Sequence, residues 1–193
     1  MERKLASIRK ISSIAPINGA DMIELAHIDG WQTIVKKDSY KEGDKIVYCE
    51  IDSFLPVREE FEFLRKNCFK STTHLGDGFR IKTVKLRGTL SQGIIFPLSF
   101  LPSNYVCLEG DDVTSIIGVQ KYEKPIPAQL SGKIKGNFPI FVRKTDQERI
   151  QNISNELDHR LEEQFEVTIK LDGSSMTVYH NNGQVGVCSR NLD

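Results

Sequence analysis

The stretch MIELAHIDGWQTIVKK, residues 22–37, limits the fold more than any other feature of the chain. Two apolar-rich arms flank Asp29-Gly30, a pair that favours a two-residue turn, so the segment predicts an antiparallel hairpin. The surroundings repeat the theme. KLASIRKISSI, at 4–14, alternates for part of its length, and YKEGDKIVYCEIDSFLP, at 40–56, gives a turn at Glu42-Gly43-Asp44 and a strand through Ile46, Val47 and Tyr48. VREEFEFLRKNCF, at 57–69, has the length and composition of one short helix. GFRIKTVKLRG and QGIIFPLSFLP then predict two more strands, divided by a loop from Gly88 to Gly93. About five strands with a helix between the third and fourth is the layout of a small Greek-key barrel, the OB-fold.

Composition changes after that run. EKPIPAQLSGKIKGNFP, at 123–139, holds three prolines and two glycines and reads as a linker or extended arm. Beyond it, Thr145-x-x-Glu148 is a capping box that predicts a helix, and Ile150, Ile153, Leu157 and Leu161 would give that helix one apolar face. QFEVTIKLDGSSMTVYHNNGQVGVCSRNLD, at 164–193, reads as strand, turn, strand, an Asn182-Gly183 hairpin turn and a further strand. The expected division is an OB-fold domain at 1–117, a linker at 118–139 and the beginning of an α+β domain at 140–193. About 55 residues is little with which to bury a core alone, so the chain is expected to be the front part of a longer protein.

Bulk composition excludes several classes. With 39% hydrophobic and 27% charged residues the chain is an ordinary globular one, and its formal net charge of zero leaves nucleic-acid binding to local patches. The sequence carries no apolar run of membrane-spanning length and no secretory signal at MERKLASIRKISS, so an intracellular, cytoplasmic or nuclear, location is expected. Cys49, Cys68, Cys107 and Cys188 form no metal-ligand spacing and read as structural thiols. His27, His74, His159 and His180 show no mutual spacing either, which speaks against a metal cage or a Ser-His-Asp triad.

Two readings of TIKLDGSSMTVYH, at 168–180, follow from its residues. As structure, it is a hairpin arm with an Asp-Gly turn. As chemistry, Lys170 ends an apolar strand with Asp172, Gly173, Ser174 and Ser175 directly behind, the order that a lysine nucleophile facing a nucleoside triphosphate needs. Such a lysine must be neutral. With an unperturbed pKa near 10.4, only about one molecule in 2,500 is neutral at pH 7, a handicap of about 4.6 kcal/mol. Burial lowers that pKa and a nearby carboxylate raises it, so Asp172 makes sense if it holds a hydrated divalent cation. Gly173 would let backbone approach a ligand closely.

KLDGSS, followed some twenty residues on by GVCSRN, resembles motif I and the next element of the covalent nucleotidyltransferases: DNA ligases, RNA ligases and capping enzymes. The upstream RKTDQERIQN at 143–152, the KLRGTLSQGIIFPL segment, and an OB-like domain that precedes the catalytic one narrow the match. The chain resembles the N-terminal portion of the fifth family of ATP-dependent, nick-sealing RNA ligases, the Deinococcus and Naegleria type. The resemblance implies an ATP-grasp-like α+β ligase domain after the barrel. It implies that Lys170 forms a lysyl-AMP with ATP, that Asp172 holds waters of a Mg²⁺ or Mn²⁺ ion, and that backbone at Thr168 and Ile169 meets adenine. Arg190, in SRN, would contact ribose or the RNA end. Arg149 suits a phosphate, since guanidinium forks match phosphate oxygens, although an exposed helix arginine paired with an acidic neighbour fits equally. The family's later motifs lie beyond Asp193, so this length alone is expected not to ligate RNA.

RIKTVKLR adds a candidate nucleic-acid surface: Arg80, Lys82, Lys85 and Arg87 interleave with Ile81, Val84 and Leu86, though strict alternation does not put all four charges on one face. Trp31, Tyr48 and Phe79 are either stacking platforms for bases or core. Two alternatives remain open at this point: a non-catalytic OB-type RNA-binding module, and a capping-type guanylyltransferase.

Overall fold

The computed structural model describes residues 4–126, 128–130, 132–144, 149–153, 157–169, 171 and 173–193. They form two compact units, one of residues 1–124 with 150–154 and one of 125–149 with 155–193.

Among the described residues, the first unit holds twelve short strands: β1 (Ala6–Lys10), β2 (Ser13–Pro16), β3 (Ile23–Ile28), β4 (Trp31–Lys36), β5 (Lys45–Cys49), β6 (Ser53–Pro56), β7 (Phe69–Thr72), β8 (Gly76–Arg80), β9 (Val84–Leu86), β10 (Thr89–Ser91), β11 (Ile94–Pro97) and β12 (Gln120–Lys121). The hairpin at Asp29-Gly30 forms as predicted, with Ile28 opposite Trp31 and Asp29 at φ 50°. The larger strand number arises because the predicted runs are cut at corners. KLASIRKISSI splits so that β1 pairs with β5 while β2 pairs with β3 in another sheet. The run at 40–56 splits at Asp52, whose φ of 68° turns the chain between β5 and β6. Strands that pass from one sheet to the next by such bends are how a small barrel closes. The predicted helix at 57–69 is a 3-10 turn at Glu59–Leu64 followed by one α-turn, α1 (Arg65–Cys68), and Phe69 already belongs to β7.

β5 shows why this half folds. Ile46, Val47, Tyr48 and Cys49 are all buried, and alternation sends them into two cores. Val47 and Cys49 join Ile8, Leu55, Phe61, Phe79 and Phe96, whereas Ile46 and Tyr48 join Ile11, Ala26, Ile28, Trp31 and Ile95. Trp31, Tyr48 and Phe79 are therefore core, at 3%, 1% and 0% exposure, and are not platforms for bases. Each is packed into one of the two cores, where burial of a large ring outweighs any use at the surface.

Gly93 has φ +84°, and a Cβ there would stand 2.6 Å from the Cys49 carbonyl oxygen and from Tyr48. Gly93→Ala should cost about 2–4 kcal/mol, combining left-handed strain with overpacking, and urea unfolding measures it.

In the second unit, β13 (Thr177–Asn181) and β14 (Gln184–Cys188) form the predicted hairpin across Asn182-Gly183, whose φ values of 50° and 80° suit a two-residue turn. Two expectations nearby are corrected. The capping box Thr145–Glu148 lies outside the described residues, and the described part of the predicted helix is not one α-helix. Ile150–Asn152 is a 3-10 turn, Leu157 and Asp158 are α-helical and 159–162 are turn, with Ile150 and Leu161 64% and 76% exposed. Periodic apolar residues make a helix only where one surface buries them together; here Gln151 and Asn152 instead pack on the β3–β4 hairpin, at Gly30 and Trp31. The predicted strand at 164–169 also does not form: Phe165, Val167 and Ile169 are exposed, and among the described residues no strand pairs with them. Alternation alone does not make a strand without a sheet edge to join.

Candidate functional site

Lys170 and Asp172 lie outside the described residues. Of the positions around them, Thr168, Ile169 and Gly173 are exposed and outside any strand or helix, and Arg149 is exposed as well. Arg190 stands in a built turn. The Ser189 amide donates to the Leu192 carbonyl at 2.8 Å, and the Leu192 amide donates to Ser189 Oγ at 3.2 Å. Below the turn, Phe138 N–H donates to the Asn191 carbonyl and Lys135 N–H to the Asp193 carbonyl, so residues 135–138 pair with 191–193. Arg190 and Asn191 thus project from a closed loop, which lowers the conformational freedom a contacting side chain must lose.

Three residues that sequence reasoning did not single out hold this turn: Lys135, Tyr179 and Asp193. The Tyr179 hydroxyl donates to Asp193 Oδ2 at 2.7 Å, Lys135 Nζ donates to the same hydroxyl at 3.4 Å, and the Cys188 thiol donates to Asp193 Oδ1 at 3.7 Å. The signal was present in the register. An Asn182-Gly183 turn places Tyr179 opposite Gly186, and an aromatic ring facing a glycine lies across the strand. A Cβ on Gly186 would come within 2.1 Å of that ring. The hydrogen bond to Asp193, then desolvation, raise the Tyr179 phenol above its usual 10.0, with Lys135 pulling the other way. The bond belongs to the neutral phenol, so its contribution is complete below the ordinary tyrosine pKa and is lost as pH rises through the higher folded value. Burial raises Tyr40 and Tyr105 as well, so an absorbance titration should show several tyrosines ionising late, and Tyr179→Phe should remove one tyrosine's share of that late change.

In the OB unit the four basic candidates separate. Arg80 is turned inward: its Nη2 pairs with Asp52 Oδ1 at 3.0 Å, its guanidinium lies 4.2 Å from the centroid of the Tyr122 ring, and its buried Nε finds no hydrogen-bond partner among the described residues. It fastens the bend at Asp52 to the strand β12 exit, and the sheet-face reading of RIKTVKLR does not hold for it. Lys82 is exposed between β8 and β9, Lys85 is exposed on β9, and Arg87 is exposed in the β9–β10 turn.

The cysteines are free thiols, as expected. Burial pushes Cys49 well above the usual thiol range, and desolvation followed by the Asp193 carboxylate raises Cys188, so neither is a nucleophile at neutral pH. Among the described residues no group of three His, Cys, Asp or Glu side chains comes together to hold a metal ion, and no helix is long and apolar enough to cross a membrane.

Comparison with known proteins defines the class first. An OB-fold domain family model matches residues 5–98, and the mainly β architecture of the first unit agrees with it. No curated protein matches the chain. Among solved structures, the Naegleria gruberi RNA ligase with PPi is 46% identical, with a TM-score of 0.77 over 99% of this chain and 56% of that one. Variants of the same ligase with AMP and Mn and with ATP and Mn are each 46% identical over 98% of this chain and 56% of theirs, with TM-scores of 0.78 and 0.76. The chain is thus similar to the N-terminal portion of the Naegleria gruberi RNA ligase and spans 56% of the length of the structures it matches.

Proposed function

We propose that this chain is the N-terminal portion of an ATP-dependent, nick-sealing RNA ligase of the fifth family. The observation that carries the reading is the 46% identity maintained over nearly the whole chain with a ligase whose structures include PPi, AMP with Mn, and ATP with Mn. In it, the neutral Lys170 amine attacks the α-phosphorus of ATP, an N–P bond forms, and pyrophosphate leaves. The adenylate passes to an RNA 5′-phosphate, and a 3′-hydroxyl then displaces AMP to seal the strand. Asp172 is proposed to hold waters of a Mg²⁺ or Mn²⁺ ion, which would offset charge on the phosphates. Thr168, Ile169 and Gly173 are proposed to line the nucleotide, Arg149 to meet a phosphate, and Arg190, from its closed turn, the ribose or the RNA end. Domain boundaries at 117 and 139, with an adenylyltransferase domain opening at 140, complete the proposal.

The test uses the full-length protein that carries this chain, with α-labelled ATP and Mg²⁺ or Mn²⁺. A covalent, acid-labile label that unlabelled ATP competes away and GTP does not supports the reading. No label in wild-type protein overturns it, and competition by GTP alone would assign the protein to guanylyl transfer instead.

A further inference from the structure

The β9–β10 hairpin stands apart from the rest of the OB unit. Its root is fastened to β4: Ile34 N–H donates to Ser91 Oγ at 2.9 Å, Gln32 Nε2 to the Leu90 carbonyl at 2.8 Å, and Gln92 N–H to the Gln32 carbonyl at 2.8 Å. Its outer part is exposed, including Val84, Leu86 and Leu90, and a Cβ built on Gly88 at the tip meets nothing within 4 Å. Arg87 and Gly88 form the turn, with φ values of 47° and 82°.

Arg87 is the unusual residue. Among the described residues, the other non-glycine positions with positive φ are Asp29, Asp38, Asp52 and Asn182, the side chains that adopt the left-handed region most readily. Arginine has no such preference, and strain of this kind persists where the side chain is used. Its Nη1 reaches to 4.0 Å from the position of a Cβ on Gly19, in the turn between β2 and β3. Arg87 therefore lies between two loops at one end of the β2–β3–β4 sheet. None of the ion pairs among the described residues uses Lys82, Lys85 or Arg87. In a chain of zero net charge, Lys85 and Arg87 on the projecting hairpin and Lys82 in the segment leading into it, none of them in those ion pairs, form a local patch that suits phosphates.

We propose that the β9–β10 hairpin is the element of the OB unit that grips the phosphate backbone of duplex RNA, with Arg87 as its central contact and Lys82 and Lys85 beside it. Arg80 takes no part. An A-form duplex presents a wide, shallow minor groove bordered by phosphates, a surface that a short two-stranded arm with exposed Val84 and Leu86 can lie across. The proposal rests on the RNA reading above and names the surface that serves it.

The experiment measures anisotropy of a labelled nicked RNA duplex with the full-length protein across a salt series, for wild type and Arg87→Asn. Asparagine suits the turn better than arginine, so the variant should melt at the same temperature as wild type or higher. Its affinity should nevertheless fall by about three- to tenfold at low salt, and the slope of log affinity against log salt should shrink by about 1. Lys85→Ala should reproduce the loss in smaller measure. Unchanged affinity and slope in a folded Arg87→Asn protein overturn the proposal. So does wild-type protein without salt-dependent RNA binding, or an arm found to be covered by a second copy of the chain, seen as self-association that Leu86→Ser abolishes. The ligase reading is judged separately by the wild-type adenylylation label, so the two can fail independently.

Discussion

Lys170→Ala in the full-length protein should take up no adenylate from α-labelled ATP, and the loss should be complete within detection rather than partial. The proposed intermediate is a bond from this one nitrogen to phosphorus, and no neighbouring group can inherit the role. Thr168 and the serines at 174 and 175 carry hydroxyls, which are weak nucleophiles at their ordinary pKa, and Cys188 is held protonated by desolvation and the Asp193 carboxylate. Lys170→Arg should fail equally, because a guanidinium stays charged at any working pH. In wild type, only the neutral amine reacts. Label formation should therefore rise about tenfold per pH unit below the lysine pKa and level off above it. A label that persists in Lys170→Ala at the wild-type rate would remove Lys170 as nucleophile. Circular dichroism and the unfolding midpoint of the variant separate lost chemistry from lost fold.

Phe61→Ala should be the most destabilising of the single truncations considered. Phe61 has no exposure, and its ring lies 5.1 Å from Phe96 and 5.8 Å from Phe100, which themselves stack at 4.9 Å. Removing it deletes one member of a three-ring cluster and leaves a void between the 3-10 turn and β11. Cores of this kind lose about 3–5 kcal/mol on Phe→Ala change. A domain of this size holds about 5–15 kcal/mol in all, so the OB unit should unfold at markedly lower urea or remain partly unfolded at 37 °C. Phe63→Ala, two residues on, removes a ring that is 66% exposed and should cost much less. Near-equal unfolding midpoints for the two variants would contradict the packing described.

Some elements were legible because they are set by neighbours in the chain. Asp29-Gly30 and Asn182-Gly183 lie between arms of suitable composition, and turn chemistry alone positions both hairpins. The apolar run at 46–48 announces a strand, and cysteines without metal-ligand spacing announce structural thiols. The resemblance carried by KLDGSS and SRN was legible as well, since motifs are strings of adjacent residues.

Other features were not local. The corner that sends β1 and β2 into different sheets depends on which strands lie beside them, and alternation carries no such information. Arg80 resembles its basic neighbours in sequence, but Asp52, 28 residues away, and Tyr122 turn it inward. The apolar spacing from Ile150 to Leu161 suits a helix, yet contacts of Gln151 and Asn152 with a hairpin some 120 residues earlier prevail.

By itself, then, the sequence determined the mainly β class of the first half, its turns, and the short motif that points to Lys170, because each depends on residues next to one another. Tertiary structure alone decided which aromatic rings are core, that Arg80 is an anchor while Arg87 sits exposed at a hairpin tip, and that Tyr179 and Asp193 close the turn bearing Arg190. Those outcomes depend on what distant segments bring to the same place, and burial and pairing there outweigh local preference.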